Sequence, residues 1–340
     1  MIPLFKVAMS DNAIHKVAET LESGYVGQGE RVEEFEALLR RYFGYPIVTT
    51  NSCTSALDLA LHLIGVKPGD EVISTPLTCT ATNGVIANRG ATIVWADVLD
   101  NGLIDPADVE RHMTKKTKAI MAVDWGGLRA DYLWLSRMGV PVIQDAAHCF
   151  RRSDKRGDYT AWSFQAIKFL TTGDGGALAV PQEQYERARL LRWYGLDRTS
   201  TKDFRCEQDI QEIGYKYHMN DIAASIGLAN FDLAEKNVVH QWSNSQIITD
   251  SPQCRWVAFV RVKDRARFIE EATRLGITTS LVHKRNDRHT AFRYASKNPD
   301  EPRPSLEAYD REYIAVPCGW WLTESEVQMI AELVKTWRIG

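Results

Sequence analysis

Short apolar runs alternate with helical spacing from about residue 30 to residue 180. The runs 47–50, 71–75, 92–97, 119–124, 140–145, 161–164 and 177–180 have the apolar, β-branched character of buried strands. Val32, Phe35, Leu38 and Leu39 share one helical face, as do Ala56, Leu57, Ala60, Leu61 and Ile64. Strands separated by helices predict a mostly parallel sheet covered on both faces, with ligands at the carboxyl ends of its strands. A second unit is expected from about residue 236. It reads as a strand over 255–262, a helix over 264–275 stopped by Gly276, a strand over 277–282 and a last helix over 323–338. Thr323 and Glu326 have capping-box spacing. Residues 284–306, rich in Asn, Asp, Arg and Pro, read as a long loop. The expected division is a large α/β domain, residues 1–235, and a smaller α+β domain, residues 236–340.

Composition narrows the function classes. The 340 residues are 44% hydrophobic and 25% charged, as in an ordinary soluble protein large enough for two domains. A net charge of −3 argues against nucleic acid or an anionic membrane as the main partner. No apolar run approaches the ~20 residues of a membrane span. The start, Met1-Ile-Pro-Leu-Phe-Lys6, lacks a basic-then-apolar pattern, so a cytoplasmic location is expected. Cys53, Cys79, Cys149, Cys206, Cys254 and Cys318 are scattered, and free thiols are expected rather than a disulfide framework or a zinc site.

The stretch that changes the picture is Ser163-Phe-Gln-Ala-Ile-Lys168-Phe-Leu-Thr-Thr-Gly-Asp-Gly-Gly176. A lysine between an apolar-aromatic strand and a glycine cluster suits a pocket with little backbone bulk. Upstream, Val142-Ile-Gln-Asp145-Ala-Ala-His148 is a strand that ends in an acid. A lysine able to form a Schiff base and an acid able to hold a pyridinium nitrogen are the minimal protein equipment for pyridoxal phosphate chemistry. Asp145 reads equally as a structural aspartate, and His148 either reaches the cofactor or is a core histidine satisfied by backbone. Ser52-Cys53-Thr54-Ser55 opens a helix after a strand, which makes either a phosphate site or a plain N-cap.

Almost the whole chain resembles the sugar aminotransferases of the DegT/StrS type, a branch of the fold type I pyridoxal phosphate enzymes. Ser23-Gly-Tyr-Val-Gly27-Gln-Gly29 with Val32-Glu-Glu-Phe-Glu36 resembles the family's N-terminal loop and helix. Ser52-Cys-Thr54-Ser55-Ala-Leu is similar to its phosphate turn, and Thr75-Pro-Leu-Thr78 to the strand end under the cofactor. Asp145-Ala-Ala-His148 and the Lys168 segment match its signature, and Gly214-Tyr-Lys216-Tyr-His218-Met with Asp221-Ile-Ala-Ala224 resembles its segment that crosses to a neighbouring subunit. The resemblance implies a seven-stranded large domain, pyridoxal 5'-phosphate (pyridoxamine 5'-phosphate during turnover) and a homodimer with composite sites. Lys168 would then carry the cofactor and shuttle the proton, and Asp145 would hold the pyridine nitrogen. His148 would sit near the phenolic oxygen; Thr54, Ser55 and Ser163 would bind phosphate; Lys216 or His218 would reach a neighbour's phosphate. The implied reaction moves an amino group from L-glutamate to a nucleotide-linked keto-deoxysugar. A cyclitol aminotransferase, a sugar dehydratase and a non-catalytic cofactor-binding regulator are the rivals; Lys168 disfavours the dehydratase, which has histidine there.

The chain departs from the family pattern in three places. Cys79 stands where an aromatic residue often stacks on the pyridine ring, leaving His148 or Ala147 for that face. Asp124-Trp-Gly-Gly127 replaces a His-x-x-Gly-like turn, and Val282-His-Lys-Arg-Asn-Asp287-Arg-His289 replaces a proline-rich loop. Arg285, Arg288 and Arg293 are expected to be solvated, or else to bind a diphosphate or glutamate's carboxylates. His283 and His289 are not expected to ligate metal, and Trp320-Trp321 is expected in the smaller unit's core.

Overall fold

The computed structural model describes residues 1–152, 157–200, 204–250 and 256–339, with the side chain of Arg205 set aside. Cys254, expected as a free thiol, and Arg255, the expected start of a strand, lie outside the described residues. In chain order the strands are β1 (Ile47–Thr50), β2 (Glu71–Ser74), β3 (Thr92–Trp95), β4 (Thr117–Val123) and β5 (Val142–Asp145). They continue with β6 (Tyr159–Ser163), β7 (Gly176–Ala179), β8 (Ala258–Arg261) and β9 (Tyr313–Val316). The first seven form one sheet in the order β1-β7-β6-β5-β4-β2-β3. Only β7 runs antiparallel to its neighbours, β1 and β6. The seven expected runs are thus these seven strands, and the sheet is mostly parallel.

The helices explain how the sheet is covered. They are α1 (Ala13–Glu22), α2 (Glu30–Phe43), α3 (Cys53–Ile64), α4 (Thr80–Asn88), α5 (Pro106–His112), α6 (Tyr132–Leu135) and α7 (Tyr185–Leu191). Beyond them come α8 (Asp221–Thr249), α9 (Arg265–Arg274), α10 (Thr290–Arg293), α11 (Pro304–Glu312) and α12 (Glu324–Trp337). Leu57, Ala60 and Leu61 of α3 join Val48, Ile93, Ile143 and Leu178 in the core on one sheet face. Val32, Phe35 and Leu39 of α2 join Ile47, Trp162 and Ala177 on the other. Asp221 couples α2 to α8: its carboxylate accepts from Gly29 N at 2.7 Å, Val32 N at 3.1 Å and Arg31 N at 3.2 Å. A carboxylate on the first N–H groups of a helix is favoured by both hydrogen bonding and the helix dipole.

The C-terminal third corrects several expectations. The helix α8 runs unbroken for 29 residues, so residues 235 and 236 lie inside it. Residues 277–282 are not a strand. Thr278 N donates to Ile2 O and Ser280 N to Ala315 O, so this stretch makes single bridges to two different partners. The sheet here is two-stranded, β8 against β9, with Val260, Phe268, Ile314, Val316, Ile330 and Leu333 in its core. Within the expected loop of 284–306, α10 forms and α11 begins. Pro304 stands in the first turn of α11, where its missing N–H matters least. The capping box at Thr323 and Glu326 forms as expected. Trp320 and Trp321 are only partly buried, and Trp321 Nε1 donates to Pro3 O at 3.2 Å. Arg285 is not solvated: it is 3% exposed and paired with Asp287 and Glu307, while Arg288 pairs with Glu307 and Asp310.

Candidate active site

Parallel register aligns the carboxyl ends of β4, β5 and β6, with Val123 beside Asp145 and Asp145 beside Ala161. Asp145 is therefore placed by the sheet itself and is 4% exposed. Its Oδ2 accepts from Thr82 Oγ1 at 2.8 Å and its Oδ1 from Ala147 N at 3.1 Å. Thr82 is held in turn by Thr78 Oγ1 at 2.8 Å. Burial pushes the Asp145 carboxyl up, against the pull of these donors and of the Lys168 charge.

Lys168 lies five residues beyond the end of β6, in a loop tied by Lys168 N to Gln165 O at 2.9 Å, Thr172 N to Phe164 O at 3.0 Å and Phe164 N to Gly175 O at 2.9 Å. Burial lowers its amine to about 8, and the charges of Asp145, Cys53, Cys79 and Cys149 offset only part of that. Its Nζ lies 3.5 Å from the centroid of the Trp256 ring. Trp256 is fixed by Nε1 donating to Ile167 O at 3.2 Å, and Phe5 stacks on it at 4.6 Å. His148 stacks on Trp256 at 4.1 Å, and its Nδ1 accepts from Gly126 N at 3.2 Å, which places the proton of the neutral ring on Nε2. Burial, Lys168 and His283 hold His148 well below the usual histidine range.

The start of α3 supplies an anion cradle. Ser52 caps it, accepting from Ser55 N at 3.1 Å, and Ser55 Oγ donates to Asn51 Oδ1 at 2.6 Å. Thr54 is exposed in the first turn. Ser163 pairs in register with Gly176, and a Cβ at Gly176 would stand 2.5 Å from Cys53 N. The missing side chain lets β7, and with it the paired Ser163 of β6, come close to the helix start. Cys53 opens α3 and feels Asp145, Lys168 and Cys79, while burial pushes its thiol well up. Cys79 caps the helix that carries Thr82.

The structure brings Asp145, His148, Cys53 and Cys79 each into electrostatic reach of Lys168. Lys216 and His218 form a different group. Lys216 is exposed, 5.3 Å over the Trp193 ring, and His218 packs 3.3 Å from the same ring. Burial, then Lys216, Arg198 and Arg192, lower His218 to about 3. Their segment borders the cradle through its backbone: Asn51 N donates to Tyr217 O at 2.6 Å and Asn51 Nδ2 to Lys216 O at 3.2 Å. Among the described residues, no group of three or more His, Cys, Asp or Glu could hold a metal ion.

The model of the DegT/DnrJ/EryC1/StrS aminotransferase family matches residues 7–335. The chain belongs to that family. It is an aminotransferase, and the family depends on pyridoxal phosphate. AtS13 from Actinomadura melliaura is similar at 37% identity and TM-score 0.91, over 99% of this chain and 98% of that one. The sugar aminotransferase CalS13 from Micromonospora echinospora shares 31% identity at TM-score 0.90, over 99% and 100%. Spr1654 from Streptococcus pneumoniae, in its PLP form, shares 27% at 0.86 over 98% of each chain, and it also has a PMP form.

The family's cofactor fits the residues present. Among the described residues the hydrogen-bond donors to Asp145 are neutral, so a cationic N–H is the partner that its burial calls for. Lys168 offers a desolvated amine and the start of α3 offers an anion cradle. Sequence reasoning missed three contributors: Thr82, Trp256 and His283. Thr82 had a local signal, being three residues past Cys79 at a helix start. Trp256 and His283 had none, because each reaches Lys168 from far along the chain.

Proposed function

We propose that this enzyme transfers an amino group from L-glutamate to the keto group of a nucleotide-linked deoxysugar, as a cytoplasmic homodimer. The observation that carries the reading is the Lys168 amine, lowered to about 8 beside Asp145. The likeness to CalS13, a sugar aminotransferase, supports the sugar acceptor.

When bound, pyridoxal phosphate supplies an electrophilic carbon and a ring that takes up the electrons left on the substrate carbon. Lys168 Nζ would hold it covalently. Near pH 8 a large fraction of this amine is neutral, fit both to attack and to take a proton from the substrate carbon. Asp145 would hold the ring nitrogen protonated, with Thr82 and Ala147 fixing the carboxylate's orientation. Thr54, Ser55 and Ser163 would bind the phosphate, and His148 Nε2–H would meet the phenolic oxygen. Trp256 covers one side of the Lys168 amine and keeps water from it. Lys216 or His218 would serve the partner subunit's phosphate, and Cys53 and Cys79 would line the ring.

The test has two arms. Borohydride should fix the cofactor on the peptide that contains Lys168. The pyridoxamine form, offered dTDP-, UDP- and GDP-linked keto-deoxysugars, should yield an aminated product by mass. Amination of a cyclitol ketone but of no nucleotide sugar would overturn the acceptor; labelling of another lysine would overturn the site.

A further inference from the structure

Val282 has φ +66°, the left-handed region that a β-branched residue rarely enters. His283 N donates to Leu281 O at 2.8 Å, so Val282 is the centre of a three-residue turn of the strained, positive-φ kind. Such strain persists only where the surroundings hold it, and it gathers at functional sites. The holding contacts are specific. Val282 N donates to Ser280 Oγ at 2.9 Å. Beyond the turn, Asn286 is fully buried and docks on the floor of the site: its N donates to Pro76 O and its Nδ2 to Thr78 O, each at 2.9 Å. Asn83 Nδ2 donates to Asn286 Oδ1 at 2.9 Å.

The residue thrown inward between these anchors is His283. Its ring lies 6.0 Å from Trp125 and, nearly parallel, 6.5 Å from His148, which itself stacks on the indole that covers Lys168. Burial first, then the Lys168 charge, lower the imidazole to about 4, so it is neutral at physiological pH. The arginines that follow it along the chain are already paired with carboxylates. Arg285 is taken by Asp287 and Glu307, Arg288 by Glu307 and Asp310, and Lys284 is exposed. A neutral imidazole among aromatic faces matches an uncharged polyol ring, whose C–H face packs on apolar surface while a hydroxyl takes one hydrogen bond. It does not match glutamate, whose carboxylates ask for cations.

We propose that His283 is a specificity residue of the acceptor half-reaction, aimed by the Val282 turn to hold a hydroxyl of the acceptor sugar beside its reacting carbonyl. The inference rests on the sugar acceptor proposed above and names the residue that separates acceptor from donor.

The experiment compares wild-type holoenzyme with His283→Phe, which keeps the ring, and His283→Gln, which keeps a donor near the position of Nε2. Each half-reaction is followed alone by absorbance, the first with L-glutamate. The second uses whichever of the dTDP-, UDP- and GDP-linked 4-keto-6-deoxyhexoses reacts fastest with wild type. The same nucleotide sugar is also titrated by calorimetry into borohydride-reduced, inactive enzyme. In His283→Phe the glutamate half should stay within about two-fold, while the acceptor half and the sugar's affinity each fall about ten-fold, the loss of one hydrogen bond to a substrate. His283→Gln should recover most of both. Equal slowing of the two halves, or an unchanged acceptor half, overturns the role of His283. If His283→Phe does not fold, His283→Ala takes its place with the same expected losses, and His283→Gln is still expected to recover most of both. A wild type that completes the glutamate half but takes no keto-sugar overturns the proposed acceptor instead.

Discussion

Asp145 and His283 both come to Lys168, by opposite means. Asp145 is the last residue of β5, and the parallel register of β4, β5 and β6 leaves it no other place. His283 belongs to no strand or helix and owes its direction to one positive-φ residue and to the docking of Asn286 on Pro76 and Thr78. The sheet end carries its cost as desolvated charge on a stiff frame. The loop carries its cost as backbone strain on otherwise neutral groups. At the sheet end, neighbouring strands and helices fix the donors around the buried Asp145 carboxylate. A loop cannot do this as firmly, and here it delivers an uncharged hydrogen-bonding ring.

The largest expected effect tests the sheet end. Asp145→Asn keeps the shape, with its one oxygen accepting from Ala147 N and its NH2 donating to Thr82 Oγ1, but an amide cannot hold the ring nitrogen protonated. Transamination should fall about 10²–10³-fold, the scale of removing one preorganised electrostatic contact from a transition state. The cofactor's visible absorbance should remain. Near-wild-type turnover of glutamate by this variant would show that the strand end is a scaffold and nothing more.

A smaller effect follows from Lys168 in the apoprotein. The folded amine titrates near 8 and an unfolded lysine at 10.5. Between those values the unfolded chain binds the extra proton, so the lysine's contribution to stability rises with pH from 8 to 10.5. Below pH 8 the full penalty is present. Lys168→Met removes it, and apoprotein should gain about 3 kcal/mol at pH 7, with the gain shrinking toward zero above pH 10.5. Thermal melts of both apoproteins from pH 6 to pH 10 measure this. A gain that is absent, or that grows with pH, would mean that the amine is better solvated than its burial implies.

The contrast also explains what the sequence made legible. The seven strands follow from apolar runs of four to six residues, a local pattern, and Lys168 and Asp145 stand out because each ends or follows such a run. Ser52 reads as a cap for the same reason. Residues 277–282 look like a strand because Ile277 and Val282 are β-branched, yet their hydrogen bonds go to Ile2, Ala315 and Ser280, partners that no local rule names. Arg285 looks solvated until α11 brings Glu307 beside it. The continuity of α8 past residue 235 is hidden because Asn237, Ser243, Asn244 and Ser245 blur its pattern, although Ala234, Val238, Gln241 and Ser245 are all buried. Trp256 and His283 act on Lys168 across separations of 88 and 115 residues, which only the fold closes.

The smallest expected effect is on Val282 itself, and it inverts an ordinary rule. In most positions alanine is more stable than glycine, because glycine gives up more backbone freedom on folding, by roughly 0.5–1 kcal/mol. At φ +66° the order should reverse. Val282→Ala loses the partly buried isopropyl group and keeps a Cβ in the left-handed region. Val282→Gly loses the same packing but removes the steric clash, which is about 1–2 kcal/mol for an L-residue. The glycine variant should therefore melt higher than the alanine variant, by a difference equivalent to about 1 kcal/mol, and stay close to wild type. It should also free His283 to turn away, so its acceptor half-reaction should slow several-fold with the glutamate half unchanged. The alanine variant, still held in the strained turn, should keep the faster acceptor half of the two. If alanine proves the more stable, Val282 is not under strain and the loop is placed by Asn286 alone; if the two variants share one acceptor rate, the turn does not aim the histidine.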